Sequence, residues 1–154
     1  MKTIYVDTSV FGGKFDDEFA FWSDQFFQKI FNSDIRIIIS DVVISELEAA
    51  PVHVRNFVNS LPYKNLLEVS LDNTAVLLGQ QYISENVVGQ SSLNDCFHIA
   101  LATLNKVDLL VSWNFKHIVN IERIHGYNAV NLKNGYHILE IRNPREAFDY
   151  ENDN

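Results

Sequence analysis

The sequence predicts an α/β fold built on a mostly parallel sheet. Two observations predict it. Short apolar runs of strand length, such as KTIYV at 2–6, IRIIIS at 35–40 and VDLLVS at 107–112, alternate with segments whose apolar residues recur at helical spacing. Runs that are apolar throughout, rather than at every second residue, belong to strands covered on both faces, which is the arrangement of parallel sheets flanked by helices.

The elements follow in order. KTIYV (2–6) is a first strand that ends at Asp7. From 16 to 32, Phe19, Trp22, Phe26 and Ile30 recur at helical spacing, and Asp16, Asp17 and Glu18 stand at the start, where the helix dipole favours acids. IRIIIS (35–40) is a second strand. Ser40 or Asp41 then caps a helix carrying Val43, Ile44, Glu46 and Leu47. Pro51 opens a short helix through Ser60. LLEVS (66–70) is a short strand or an extended connection, and Asp72 caps a helix to about Asn86. Ser91 or Ser92 caps the helix that carries Asp95, His98, Leu101 and Leu104; Ser92 with Asp95 resembles a capping box. VDLLVS (107–112) is the next strand. A loop and helix from about 114 to 125 follow, with Gly126 expected as a left-handed cap. HILEI (137–141) is the last strand.

A chain of 154 residues suits one domain with a real core, here 1–146, while the acidic stretch 147–154 is expected to fray. Six Gly and three Pro leave no linker. Cys96 is the single cysteine, so no internal disulfide forms, and its apolar neighbours make it a buried thiol. Asp7 interrupts the N-terminal apolar stretch, so it lacks signal-peptide form. No apolar run spans a bilayer. The expected compartment is the cytoplasm. A net charge of -8 argues against a broad basic grip on nucleic acid. The acids are either a solvated surface or partly gathered on a cation.

In an open parallel sheet the functional crevice lies beyond the carboxyl ends of the strands. Asp7 follows the first strand directly, and Asn114 follows VDLLVS after Ser112 and Trp113. Glu46 and Asp95 are placed in the first turns of their helices, so the four can meet on one rim. Isolated carboxylates at buried ends are costly, and a divalent cation is one way to offset that cost. Other α/β chemistries lack their residues. There is no G-x-G-x-x-G after the first strand, only Gly12-Gly13; no Walker A loop; and no G-x-S-x-G elbow. A dehalogenase-type phosphatase needs a second Asp where Ser9 stands, and the acidic pair of a phospho-receiver is missing.

The blocks IYVDTSVFGG, ISELE, NDCFHIALAT and VSWNFKHIVN, in this order, resemble a PIN domain of the VapC-like toxin type. The resemblance covers the chain from Ile4 to about Pro144. It implies a three-layer α/β/α sandwich and a metal-dependent endoribonuclease, in many members the toxin of a toxin–antitoxin pair. It implies Asp7, Glu46 and Asp95 as catalytic metal ligands. Asn114 falls where many members carry a further Asp, and would be a weaker ligand. Mg²⁺ or Mn²⁺ suits such oxygen donors, and a water of lowered pKa would attack the phosphorus. Thr8, Ser9 and Lys116 are candidates for contacting substrate. The family commonly dimerises and binds an antitoxin. The alternative is a catalytically silent PIN-like module that binds RNA or a protein.

Each residue also has a plainer reading. Asp7 can cap the following turn, Glu46 can be a surface acid, and Asp95 can serve the helix dipole. His98, one turn after Asp95, is favoured as a histidine satisfied inside the fold over a proton donor. His117 is read as a loop anchor, Asn120 as a helix cap, and Trp113 as packing the sheet end. Lys14, Lys116, Arg123 and Arg145 are the cations available to meet phosphate. Phe19, Phe21, Trp22, Phe26, Phe27 and Phe31 ring the first long helix, as either a thick core or an interface for a second copy or an antitoxin helix.

Overall fold

The computed structural model describes residues 2–149. Its sheet has the strand order β3-β2-β1-β4-β5, and every neighbouring pair is parallel. β1 (Lys2–Val6) and β2 (Ile35–Ser40) coincide with the predicted runs, because nothing interrupts their apolar, β-branched sequence. β3 (Leu66–Val69), β4 (Leu109–Val111) and β5 (Ile141–Arg142) are shorter. Ile4, Tyr5, Val6, Ile37 and Ile38 are at most 1% exposed, as strands covered on both faces require. Each such side chain contributes roughly 1.5–3 kcal/mol on leaving water.

Helices α1 (Thr8–Gly13), α2 (Ala20–Phe31), α3 (Asp41–Glu48) and α4 (Val52–Asn59) contact one another. Helices α5 (Asn73–Ser84), α6 (Leu93–Leu104) and α7 (Ile121–Lys133) form a second group. Parallel crossovers are right-handed, so the first group, joining β1 to β2 to β3, lies on one face. The second group, connected to β4 and β5 on the other side of β1, lies on the opposite face. The result is the expected α/β/α sandwich. Among the described residues, no helix is long and apolar enough to cross a membrane.

Several boundaries differ from the sequence reading. Helix α1 starts immediately after Asp7, and α2 begins at Ala20 rather than 16; the acids 16–18 form the turn between them, with the Glu18 N–H donated to Asp16 Oδ1 at 2.9 Å. Gly126 does not end a helix. α7 runs through it to Lys133, and the left-handed conformation belongs to Gly135 (φ 80°). Gly126 is needed for a different reason: a Cβ there would lie 2.7 Å from Val87 Cγ1. Ser92 holds the N-cap position of α6 without a side-chain cap bond, because the 3₁₀ turn Gln90–Ser92 already leads into the helix. The predicted strand 137–141 shrinks to Ile141–Arg142. Asn128 of α7 takes both backbone groups of Leu139, accepting its N–H at 2.7 Å and donating to its C=O at 3.0 Å. The stretch expected to fray from 147 is packed at its start: Ala147 is buried and Phe148 stacks on Phe26. Residues 150–154 lie outside the described residues.

Other expectations hold. Ser40 caps α3 through Val43 N–H, Asp72 caps α5 through Ala75 N–H, and Asn120 caps α7 through Arg123 N–H. Cys96 is fully buried, and burial pushes its thiol up to about 12, so it is inert.

Candidate active site

The strand order reverses at β1, which pairs with β2 on one side and β4 on the other. The carboxyl ends of β1 and β4 therefore flank the crevice that such a reversal opens. Asp7 stands at that point, 5% exposed. It occupies the N-cap position of α1, yet its carboxylate makes no cap bond. Instead Oδ2 accepts from Ser9 Oγ at 2.7 Å and Ser112 Oγ at 2.8 Å. Each hydroxyl is itself fixed by a backbone donor: Trp113 N–H reaches Ser9 Oγ, and Asn114 N–H reaches Ser112 Oγ, both at 2.9 Å. Their protons are thus directed at one Asp7 oxygen, and Oδ1 is left facing His98 Nε2 at 3.4 Å.

Glu46 lies in the second turn of α3 rather than its first. Its Oε1 accepts from Thr8 Oγ1 at 3.1 Å and pairs with His98 Nε2 at 2.5 Å. The hydroxyls of Thr8 and Ser9, candidates for substrate contact, therefore point at the two acids themselves. His98 is fully buried on α6, and its other nitrogen, Nδ1, meets Tyr5 OH at 2.6 Å. Tyr5 OH continues to Ser40 Oγ at 2.7 Å, which accepts Val43 N–H. Burial holds the Tyr5 phenol far above its usual range, so it remains a hydroxyl. The favoured reading of His98 as a satisfied interior residue is correct, and its partners are the acids of the site.

Asp7, Glu46 and His98 offer ligand atoms that all lie within 4.8 Å of one another. Asp95 does not join this group. It sits on the same rim, half-buried, and its Oδ2 is 3.4 Å from Asn114 Nδ2. Burial raises the Asp95 pKa, and the negative charge of Asp7 raises it further. For His98, burial favours the neutral ring, but the Glu46 hydrogen bond and the charges of Asp7, Glu46 and Asp95 outweigh it and raise its pKa.

Asn114 is engaged by its own loop. Its Oδ1 accepts the backbone N–H groups of His117 at 2.9 Å and Lys116 at 3.2 Å, which leaves the amide NH₂ toward Asp95. The candidate weaker ligand thus also caps its own loop and stands beside Asp95. His117 lies in the same loop, where its backbone carbonyl accepts Tyr127 OH at 2.7 Å and its ring Nδ1 is buried without a hydrogen-bond partner among the described residues. Trp113 packs the sheet end, stacked on Phe19 at 4.3 Å and donating to Ser23 Oγ at 2.9 Å. Among the candidate phosphate contacts, Lys14 is paired with Asp24 at 2.6 Å, Arg123 holds the Val87 carbonyl, and Arg145 lies over Trp22. Lys116 is exposed beside Asn114.

The donor set suits a divalent cation. Asp7 and Glu46 bring carboxylate oxygens together beside His98, each carboxylate steadied by neighbouring hydroxyl groups, and hard ions favour such oxygens. Sequence reasoning located the acids. It missed Tyr5, Ser40 and Ser112, whose only signal was a hydroxyl at the end of an apolar run.

Solved structures share this fold, among them the following three. A chain of the VapBC2 complex from Rickettsia felis, bound to a promoter DNA fragment, is 14% identical, with a TM-score of 0.58 over 92% of this chain and 98% of that one. A chain of DNA-bound VapBC from Salmonella typhimurium is 16% identical, with a TM-score of 0.56 over 94% and 99%. A chain of FitAcB from Neisseria gonorrhoeae is 12% identical, with a TM-score of 0.57 over 92% and 97%. No curated protein sequence matches this chain. The family model for the PIN domain matches residues 4–116, which takes in Asp7, Glu46, Asp95 and the Asn114 loop, and the chain belongs to the PIN domain family.

Proposed function

We propose that the protein is a divalent-cation-dependent endoribonuclease that hydrolyses RNA phosphodiester bonds. The observation that carries this reading is the meeting of Asp7 and Glu46 around His98 at the carboxyl edge of the sheet, with Asp7 Oδ2 tied to two hydroxyls and Glu46 Oε1 to Thr8 and His98. Asp7 and Glu46 would hold the ion, with Asp95 bordering the site. When bound, a Mg²⁺ or Mn²⁺ ion supplies positive charge beside the scissile phosphate and acidifies water. The residues of the chain do the rest. Ser9 and Ser112 fix the rotamer of Asp7, and Thr8 fixes that of Glu46. Asp95, with its raised pKa and the Asn114 amide beside it, is placed to hold or release a proton at the rim. Lys116 is the side chain placed to meet a phosphate of the substrate.

The test is RNA incubation with and without Mg²⁺ or Mn²⁺, for the native chain, Asp7→Asn and Asp95→Asn. Metal-dependent cleavage lost in both variants supports the proposal. Equal cleavage by all three means contamination and rejects it. Absence of cleavage together with retained RNA binding favours a silent binding module, the reading to which the missing fourth acid at Asn114 lends weight.

The role of toxin in a toxin–antitoxin pair belongs to the same proposal. The structures of like fold are of VapBC complexes. An open groove of about 1280 Å³ lies between α2 and the C-terminal turn, with Phe19, Trp22, Phe26, Phe115 and Phe148 along it. An amphipathic antitoxin segment fits such a lining. Expression with and without a neighbouring small partner gene tests the pair, and sedimentation of the isolated chain tests the homodimer.

A further inference from the structure

We infer that His98 Nε2 is a nitrogen ligand of the same cation site, which makes the site favour Mn²⁺ and its first-row neighbours over Mg²⁺. The inference rests on the proposal that the site holds a divalent ion. Three observations support it. First, Asp7, Glu46 and His98 bring their donor atoms within 4.8 Å of one another from the turn after β1, from α3 and from α6, whereas Asp95 stands outside the group. Second, the donor atoms are close enough to share an ion after a small adjustment. An ion with bonds of about 2.1 Å holds adjacent donors about 3.0 Å apart. Nε2 stands 3.4 Å from Asp7 Oδ1 and 2.5 Å from Glu46 Oε1, the latter a short hydrogen bond that a bound ion would replace. Third, two of the three are held through an atom other than the one they offer. Tyr5 OH holds Nδ1 of the ring and Ser9 with Ser112 hold Asp7 Oδ2, while Thr8 steadies Glu46 at Oε1 itself. A ligating histidine characteristically has its other nitrogen hydrogen-bonded in this way.

The ring has a second possible role, as a donor that merely steadies Glu46. The two differ in their effect on metal choice. Imidazole binds the first-row transition ions well and adds little for Mg²⁺, which takes oxygen. A steadying ring would serve both ions alike.

The experiment uses the full-length protein, with Mn²⁺ and Mg²⁺ as probes. Pulsed electron paramagnetic resonance of the Mn²⁺ form reads directly bound ¹⁴N, and calorimetric titration gives the affinity for each ion. The variant His98→Gln keeps an N–H within reach of Glu46 and much of the volume, but removes the imidazole. The expected result is a nitrogen coupling in the native protein that is retained in His117→Gln and lost in His98→Gln. Affinity for Mn²⁺ should fall at least tenfold in His98→Gln, with Mg²⁺ affinity changed less than about threefold. Mn²⁺ bound without nitrogen coupling, no Mn²⁺ binding at all, or an equal loss for both ions would overturn the inference. The spectrum of the native protein decides the matter even if the variant does not fold. RNA cleavage is scored separately. A nitrogen-held ion on a protein that cuts no RNA would sink the nuclease proposal and leave this one standing; metal-dependent cleavage with a nitrogen-free ion would do the reverse.

Discussion

Asp95 carries a charge that the fold does not favour. Burial and Asp7 raise its pKa, so between the ordinary carboxylate value and the raised one the folded chain binds more proton here than the unfolded chain does. The contribution of Asp95 to stability without metal is therefore most favourable below the usual carboxylate range and falls as pH climbs through the raised value. His98 acts in the same direction. Its raised pKa contributes stability that is complete below the ordinary histidine value and is lost as pH rises through the folded one. Asp95→Asn removes the charge and keeps an acceptor for the Asn114 amide. In thermal melts of the metal-free protein it should raise stability by about 1 kcal/mol, more at pH 8 than at pH 4. A lower melting temperature at pH 8 would contradict this. The same protons compete with a cation, so Mn²⁺ affinity should increase from pH 5.5 to 8 with net proton release, measurable by titration in buffers of different ionisation enthalpy. The acids were legible in the sequence because each ends or borders an apolar run. Their hydroxyl partners were not. Tyr5 meets His98 across 93 positions and Ser112 meets Asp7 across 105, and no local pattern encodes such contacts.

Among the elements, the strands that were read correctly are those with uninterrupted apolar sequence, β1 and β2. The errors lie where tertiary contacts decide. Helix α1 is a short turn set by the emergence of Asp7 at the sheet edge, too short for periodicity to register. Gly126 looked like punctuation but serves close packing between α7 and the segment before α6. Gly126→Ala offers a test. In an isolated helix it would stabilise by up to about 1 kcal/mol. Here its Cβ meets the stiff, β-branched Val87, so the expected outcome is a net loss of about 1–2 kcal/mol in denaturant unfolding. Adding Val87→Ala should make the glycine substitution itself less costly. Equal effects in the two backgrounds would show that the clash is not the cause.

For the molecule as a whole, the net charge of -8 constrains how the proposed RNA substrate would be held. Lys14, Arg123 and Arg145 are all engaged within the protein, and Lys116 is the cation beside the site. Few phosphates can then be neutralised by side chains. RNA affinity, followed by fluorescence anisotropy on Asp7→Asn so that the strand stays intact, should fall only shallowly with salt, with a log–log slope of about -1 to -2. A slope steeper than about -4 would reveal a basic surface that the charge distribution does not suggest. Composition alone gave this expectation; it could not say which cations were already occupied.

Asn128 has one further consequence, for aggregation. A sheet edge with unpaired backbone groups is a template on which another chain can add a strand. Here the residues leading into β5 are withheld from that role, because one asparagine side chain occupies both the N–H and the C=O of Leu139. Ile138 beside it is exposed, so the shield covers an apolar stretch that would otherwise suit intermolecular β-pairing. Asn128→Ala should leave the distant acids in place while increasing light scattering and thioflavin binding on prolonged warming. Soluble behaviour identical to the native chain would mean that the edge is guarded by something else.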